Sequence, residues 1–164
     1  MRQEISEIIA FLEETPEAVR RLREGFEGDE LKARADDGNF SLVEQVCHLR
    51  DIEREGYGAR IEKILNEETP SLTDVNGRKL AAARRYNEQR FEDGLDEFAE
   101  ARRRNALALR GLTDEELERR GTLEGVGEIT LARLVSKMRE HDEEHLKELT
   151  ELRAQLLKRR SKQA

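Results

Sequence analysis

The sequence contains few of the residues that favour β-structure. Among its 164 residues there is no tryptophan, aromatic residues make up 4%, and proline occurs only twice. β-Branched and aromatic side chains favour strands, whereas the abundant Glu, Arg, Leu and Ala favour helices. A chain of this length fits one compact domain. The composition therefore predicts a single all-α domain and argues against a β-sandwich or a β-barrel.

Three further features of the sequence bear on the compartment and the partners of the protein. The one cysteine, Cys47, cannot form an internal disulfide, which favours a reducing compartment and a small buried core thiol. No apolar run approaches the roughly 20 residues of a membrane span, and residues 1–14 lack the apolar core of a signal peptide. The net charge of −7, from 30 basic and 37 acidic residues, disfavours nucleic-acid binding. We expect a cytoplasmic protein that binds neither membranes nor nucleic acid.

Apolar residues at intervals of three, four and seven predict four amphipathic helices. In the first helix, Pro16 predicts a kink or a division into two short helices. The pattern at Thr113–Glu116 is a capping box that predicts a short extra helix between the third and fourth helices, and the glycines of 121–127 predict a loop. The bundle domain is expected to span 1–158, with a basic, frayed tail at 159–164. The four long helices are predicted at about 5–26, 42–67, 77–110 and 130–158.

Two histidines interrupt the apolar stripe of the last predicted helix. His141 and His145 are four residues apart, which places them on one helix face between Met138 and Leu149. Buried polar groups need partners, and a metal ion would accept the lone pair of each imidazole. The alternative is that nearby carboxylates satisfy the two rings.

His48 is the third histidine of the chain, and it lies at the edge of the inward face of the second helix. Three neutral imidazoles on two neighbouring helices match the ligand set of a catalytic zinc site with an open position. Two sharper metal motifs are absent. A zincin needs Glu where Asp142 follows His141, and a di-iron bundle needs Glu-x-x-His motifs, which this chain lacks.

Two segments carry a family resemblance. Residues 41–53 read SLVEQVCHLRDIE, which resembles the W/F-S-x-x-E-x-x-x-H-L-x-D-x-E segment of the DinB-like (YfiT-like) metal-binding four-helix-bundle family. Residues 130–134 and 141–146 read TLARL and HDEEHL, which resemble the closing segment of the same family. Phe40 stands where many relatives have tryptophan. The resemblance covers nearly the whole chain.

The resemblance implies a fold, a ligand set and a type of chemistry. The fold is a four-helix bundle with an up-down-down-up connection, and many relatives form homodimers. One divalent metal ion would be held by His48, His141 and His145; zinc or nickel is the first expectation, and iron is also compatible with three imidazoles. Characterised relatives include transferases that use low-molecular-weight thiols and a thiol-dependent isomerase. Many other members have no assigned reaction.

Four residues are predicted to assist the metal site. Asp51, one turn after His48, is expected either to orient an imidazole or to pair on the surface with a neighbouring arginine. Asn87 falls on the inward stripe of the predicted third helix, with Arg84 and Tyr86 beside it. These three either line a polar pocket that faces the metal or form a buried hydrogen-bonded group within the bundle.

Two other charged positions are interpreted as surface features. Asp142 points about 100° away from His141 on an ideal helix, so it is expected to be an exposed charge. The run Arg102-Arg103-Arg104 lies on a helix rich in glutamate and is interpreted as a solvated, salt-bridged face.

Together these observations predict a metal-dependent transferase that activates a low-molecular-weight thiol against a small-molecule substrate. Three alternatives stay open: a metal-dependent hydrolase, a metal-binding or small-molecule-binding protein without turnover, and a helical interaction module without metal. The sequence does not decide the metal, the thiol, or whether the chain forms a homodimer.

Overall fold

The computed structural model describes residues Met1–Ala164 and consists mainly of helices. None of the helices has a stretch long and apolar enough to cross a lipid bilayer. A π-helical segment, Ile52–Gly58, joins two of the α-helices without a break. The α-helices are α1 (Arg2–Arg23), α2 (Leu42–Asp51), α3 (Ala59–Asn66), α4 (Gly77–Ala83), α5 (Phe91–Arg110), α6 (Asp114–Leu117) and α7 (Leu131–Gln163). The strands are β1 (Ser71–Leu72), β2 (Arg120–Leu123) and β3 (Gly127–Thr130), and 3₁₀ turns cover Gly28–Lys32 and Tyr86–Glu88.

The first and last long helices run in the same direction. On α1 and α7, Thr15 bonds to Asp142, and farther along both helices the Leu22 carbonyl accepts a hydrogen bond from Arg153. These paired contacts advance together along the two sequences. Helices α1 and α7 are therefore parallel, which requires a long excursion of the chain between them.

The two middle helices are also parallel to each other. Near the beginning of both, Val46 lies against Gly94, and farther along the π-helical segment lies against Asn105. Arg23 in the last turn of α1 pairs with Glu92 in the first turn of α5, so α1 and α5 are antiparallel. This arrangement confirms the predicted all-α bundle with up-down-down-up topology, and α6 confirms the short extra helix.

Pro16 lies inside a continuous α1 rather than at a kink or a break. Proline has no N–H, so the Leu12 carbonyl loses its usual partner four residues ahead. The guanidinium of Arg102 on α5 replaces that partner by donating to the Leu12 carbonyl at 2.7 Å. A contact between helices thus satisfies the group that proline leaves unpaired.

The predicted third helix is divided in two. Helix α4 ends at Ala83, Arg85 takes a left-handed conformation with φ of 49°, and α5 begins only at Phe91. Arg84 and Gln89 bridge the break, because the Gln89 side chain donates to the Arg84 carbonyl. Helix α4 is therefore not in phase with α5, so the inward positions predicted for Arg84 and Asn87 from one helix over 77–110 do not hold, although Leu80 still packs against the core.

A small sheet replaces the predicted glycine loop. Strand β2 pairs antiparallel with β3 and parallel with β1, in the order β1-β2-β3. Leu72, Leu123 and Ile129 bury the inner face of the sheet against one end of the bundle. Helix α7 continues through the predicted tail to Gln163, and Arg160 in its last turns pairs with Glu30.

The bundle interior has two apolar clusters with a polar layer between them. One cluster lies at the end that carries the sheet, and the other surrounds Phe26, Phe91 and Phe98. Buried polar side chains fill the middle of the bundle at positions where the helical stripes would otherwise continue with apolar residues. These side chains are Thr15, His48, Glu53, Arg102, Asp142 and His145.

Candidate metal centre

The three histidines come together at the middle of the bundle. His48 projects from α2, and His141 and His145 project from α7, which runs antiparallel to α2 at this level. One nitrogen from each ring lies within 4.8 Å of the others. The Nε2 atoms of His48 and His141 are 3.2 Å apart. Nitrogens at these separations can bind one ion, since each Zn–N bond is about 2.0–2.1 Å long.

Gln45 fixes the orientation of His145. The Gln45 Oε1 atom lies 2.7 Å from Nδ1 of His145, and the Gln45 amide group donates to Glu148 at 2.6 Å. Because an amide oxygen only accepts, Nδ1 of His145 carries the proton, and Nε2 is left with a lone pair for a metal. Gln45 is buried, so this orientation is rigid.

Gly77 at the start of α4 packs directly on the His48 ring. A Cβ atom at position 77 would lie 2.5 Å from Cε1 and 2.6 Å from Nδ1 of His48, much closer than real contacts. The Nδ1 atom of His48 is buried and has no hydrogen-bond partner. The absence of a side chain at position 77 is therefore what allows His48 to occupy its place beside the other two rings.

Replacing Gly77 with alanine should weaken metal binding by about 10- to 100-fold, the range typical of second-shell changes. The reason is that the added methyl group pushes His48 out of the ligand position. Isothermal titration of the metal-free protein with Zn²⁺ would measure the change. Gly111→Ala is the matched control, because a Cβ there meets nothing within 4 Å. Equal affinity in both variants would show that the close approach to His48 is irrelevant.

Burial keeps two of the imidazoles neutral. Desolvation, reinforced by the neighbouring His145, lowers the pKa of His48 to about 3, and the same causes lower the pKa of His141 to about 2. Neutral imidazole is the form that binds transition metals. The donor set and the Gln45 contact both fit a single divalent transition-metal ion.

These pKa values predict that the metal-free protein loses stability in mild acid. Below about pH 6.5 the unfolded chain protonates His48 and His141, whereas the folded protein does not until the pKa values near 3 and 2. The unfolded state then binds more protons, so stability falls as pH falls, by up to about 1.4 kcal/mol per unit for each histidine. Urea unfolding at pH 7, 6 and 5 should show this slope. The His48→Asn, His141→Asn double variant should show a shallower one, and equal slopes would contradict the assignment.

The imidazoles open onto a cavity of about 430 Å³. Its wall combines two arginines and two carboxylates with polar amide groups and a few apolar side chains. Tyr57 closes one side, where its hydroxyl donates to the Lys137 carbonyl. The lining residues are Asn39, Phe40, His48, Ile52, Tyr57, Arg60, Asp74, Val75, Asn76, Gly77, Arg78, His141, His145 and Glu148.

Asp51 lies apart from the imidazoles. Its carboxylate accepts hydrogen bonds from Arg50 at 2.7 Å, Arg84 at 2.8 Å and Tyr86 at 2.6 Å. Burial alone would raise the pKa of Asp51, but these three donors hold it below its usual value. With its oxygens occupied in this way, Asp51 does not contact His48; it ties α2 to the segment after α4.

Arg84, Tyr86 and Asn87 do not line the cavity either. Tyr86 is buried against Asp51, while Asn87 accepts from Ser41 and donates to the Lys32 carbonyl. The pocket hypothesis fails because it assumed an unbroken third helix. The three residues do not form one buried hydrogen-bonded group either, because Tyr86 is buried against Asp51 whereas Arg84 is exposed and Asn87 bonds to Ser41 and Lys32.

Asp142 and Arg102 are buried, although both were expected on the surface. Arg102 is 2% exposed and forms ion pairs with Asp142 at 2.6 Å and Glu53 at 2.9 Å. Asp142 also accepts from Thr15, and Asn105 donates to Glu53. We call Thr15, Glu53, Arg102, Asn105 and Asp142 the buried charge cluster. It joins α1, the π-helical segment, α5 and α7 just beside the ligand pair on α7.

The sequence did not identify several residues that shape the site. Gln45 and Gly77 act on ligands, and Tyr57, Arg60 and Arg78 form the cavity wall. Gln45 gave a usable signal, since it precedes His48 by three residues and so lies on the same helix face. The others could not be placed without the π-helical segment and the start of α4.

The whole-chain comparison decides the family. A model of the DinB superfamily matches residues 12–149. The chain belongs to the DinB superfamily. This match includes all three histidines of the candidate centre and all four bundle helices at least in part.

A solved structure has the same fold. The chain is similar to YfiT from Bacillus subtilis, with a TM-score of 0.88 and 24% identity, over 95% of this chain and 89% of that one. YfiT is described as a probable metal-dependent hydrolase with an unusual four-helix bundle topology. At this identity the likeness establishes the bundle topology. No curated protein matches the chain.

Proposed function

We propose that this DinB-superfamily protein is a metal-dependent enzyme that activates a low-molecular-weight thiol and transfers it to an electrophilic small molecule. The observation that carries the proposal is the position of the three imidazoles. They converge on one point at the wall of an open cavity rather than in a sealed core. Three protein ligands and access to solvent are typical of catalytic rather than structural metal sites.

The ion would supply a Lewis acid that lowers the pKa of a thiol or a water molecule bound to it. The protein residues do the rest. His48, His141 and His145 hold the site, Gln45 keeps His145 in the right tautomer, and Gly77 gives His48 its space. Phe40 and Tyr57 contribute aromatic surface to the cavity wall.

The cavity carboxylates favour a thiol over water as the nucleophile. A free thiol has a pKa near 8.5 and needs little help to ionise, whereas water starts far higher and gains from a general base. Glu148 lines the cavity, but it accepts a hydrogen bond from Gln45 and lies 3.3 Å from His145. Asp74 is largely exposed and lies 3.6 Å from Arg60. Both carboxylates are already engaged, so a nucleophile that does not need a base fits this site better.

The thiol must come from outside the chain. Cys47 is fully buried, and burial raises its pKa to about 11. Its thiol lies against Gln89 rather than in the cavity. In the proposed reaction the external thiol loses its proton to solvent, its sulfur forms a bond to an electrophilic carbon, and the leaving group departs with the bonding electron pair.

A metal-dependent hydrolase is the second candidate. Glu148 favours it only by position, because its carboxylate lies in the cavity wall beside the imidazoles, whereas the hydrogen bonds from His145 and Gln45 lower its pKa and weaken it as a base. A carboxylate in this place could accept a proton from water. The description of YfiT points in the same direction.

A paired assay would separate the two functions. The protein loaded with Zn²⁺, Ni²⁺ or Fe²⁺ is incubated with a small thiol and monochlorobimane, and separately with p-nitrophenyl acetate without thiol. Thiol-dependent conjugation that is lost in His48→Ala supports the transferase. Metal-dependent ester hydrolysis without thiol supports the hydrolase, and His48→Ala that keeps both conjugation and metal content would refute the proposal.

A further inference from the structure

Arg78 is an arginine without a protein partner at the cavity wall. It lies in the first turn of α4, immediately after Gly77, and lines the cavity beside His48. Most arginines of this acidic chain form ion pairs, and Arg78 forms neither an ion pair nor a side-chain hydrogen bond. Its guanidinium lies over the Phe40 ring, with 5.7 Å between the guanidinium carbon and the ring centroid. All the hydrogen-bond donors of the guanidinium are therefore free for a ligand.

The guanidinium of Arg78, which is an exposed residue, lies over the Phe40 ring near the candidate metal centre. Phe40 packs on His48 with 5.5 Å between ring centroids, and Arg78 lies over Phe40 in turn. The guanidinium therefore lies no farther from the His48 ring than these two distances together. A small molecule bound at the imidazoles can span this separation.

A second guanidinium makes the inner wall positive. Arg60 is 8% exposed, and its Nε and Nη2 atoms donate to the Thr73 carbonyl at 3.2 and 2.9 Å. Its Nη1 atom makes no hydrogen bond to the protein, so the cavity keeps a fixed cation with a free donor. The two carboxylates, Asp74 and Glu148, balance the two guanidiniums only while no ion is bound. With a divalent ion on three neutral imidazoles, the wall carries a net charge of +2.

We propose that Arg78, backed by the charge of Arg60, recognises a carboxylate on the thiol, so that the proposed transferase uses an anionic thiol rather than a neutral or cationic one. This inference rests on the proposed function, which it deepens by naming the substrate class. Arg78 is a specificity-determining residue in this scheme. It binds the carboxylate end of the thiol while the sulfur lies at the imidazoles. The planar donor group of arginine can make two parallel charge-assisted hydrogen bonds to a carboxylate, which gives the contact direction as well as strength.

The test measures thiol binding instead of turnover. The metal-free protein is loaded with Co²⁺, and thiolate binding is followed by the near-ultraviolet charge-transfer band of the Co²⁺–thiolate bond. Two thiol pairs are titrated at low salt: N-acetylcysteine with its carboxamide, and glutathione with its diethyl ester. The second member of each pair keeps the thiol, but its carboxylates are masked. The two pairs differ in the distance from the sulfur to the carboxylate.

Arg78→Gln is compared with Arg103→Gln, which removes the same charge from an exposed position on α5 outside the cavity. In the wild type and in Arg103→Gln, we expect at least one anionic thiol to bind about three- to tenfold more tightly than its masked partner. In Arg78→Gln we expect this preference to disappear. The Co²⁺ content and the affinity for the masked thiols should stay unchanged. The preference should also shrink as salt increases.

The outcomes that would overturn the inference differ from failure of the proposed function. If all thiols give the band but Arg78→Gln keeps the wild-type preference, or no preference exists, the carboxylate is not recognised by Arg78. If no thiol gives the band, the thiol function fails. Succinate then tests the anion site alone: thermal stabilisation of the Co²⁺ protein that is lost in Arg78→Gln supports the site, and equal melting curves refute it.

Discussion

Replacement of His141 by alanine is expected to remove the metal from this protein. The wild type, purified without chelator or nickel resin and dialysed, should hold about one transition-metal ion per chain, because three nitrogens converge within 4.8 Å. The variant keeps only two imidazoles, and its affinity should fall by more than the 10- to 100-fold typical of second-shell changes. Elemental analysis of the dialysed proteins measures the ratio.

Glu144→Ala is the control for this experiment, since Glu144 is exposed on α7 between the two ligand positions. It should retain the wild-type metal content. Uptake of Zn²⁺, Ni²⁺ and Fe²⁺ by the wild type shows which ion binds most tightly. A His141→Ala protein with full metal content, or a wild type that takes up none of these ions, would mean that the three histidines serve structure alone.

The Arg102→Met variant should show the largest loss of stability among single substitutions in the polar layer. It leaves Glu53 and Asp142 buried at 1% and 0% exposure without their cation. Removing one partner of such a buried pair costs about 3–5 kcal/mol. The Leu12 carbonyl also loses its donor. For a chain of this size we expect the melting temperature to fall by roughly 6–20 °C, measured by circular dichroism.

Arg103→Met is the matched control, because the neighbouring arginine is exposed, and we expect it to change the melting temperature by less than about 2 °C. Combining Arg102→Met with Glu53→Gln and Asp142→Asn should recover part of the loss, since neutral amides are cheaper to bury than lone carboxylates. Two results would show that the buried charge cluster does not stabilise the fold through its charges. One is an Arg102→Met melting temperature equal to that of Arg103→Met, and the other is a triple variant no more stable than Arg102→Met.

Helical periodicity was sufficient to locate the bundle and the ligand pair. The stripe Leu131, Leu134 and Met138 continues into His141 and His145, and all three apolar residues are buried as predicted. Two imidazoles on a buried stripe are visible in a sequence because the interval of four is a property of any regular helix. His48 could be placed near them only by the family resemblance and by assuming that two helices are neighbours.

The errors in prediction arose where tertiary contacts decide the local structure. Asp142 is adjacent to a ligand and looks like a surface charge until Arg102 from another helix neutralises it. The break before α5 depends on Asp51 accepting from Arg84 and Tyr86, and none of these contacts has a local signature. Strand β1 has only two residues and pairs with β2 about 50 positions later, which periodicity cannot detect.

The π-helical segment divides one long helix into two parts that are out of phase with each other. A π-helix has wider turns than an α-helix, with i→i+5 hydrogen bonds, so the chain reaches Ala59 rotated backward from the ideal register. His48 lies before this phase shift, whereas Tyr57 and Arg60 lie within and after it. Ligand geometry and wall geometry are consequently set by different stretches of the same helix. A change in the length of the π-helical segment would rotate the wall about the helix axis while the ligand-bearing turn stays where α2 places it.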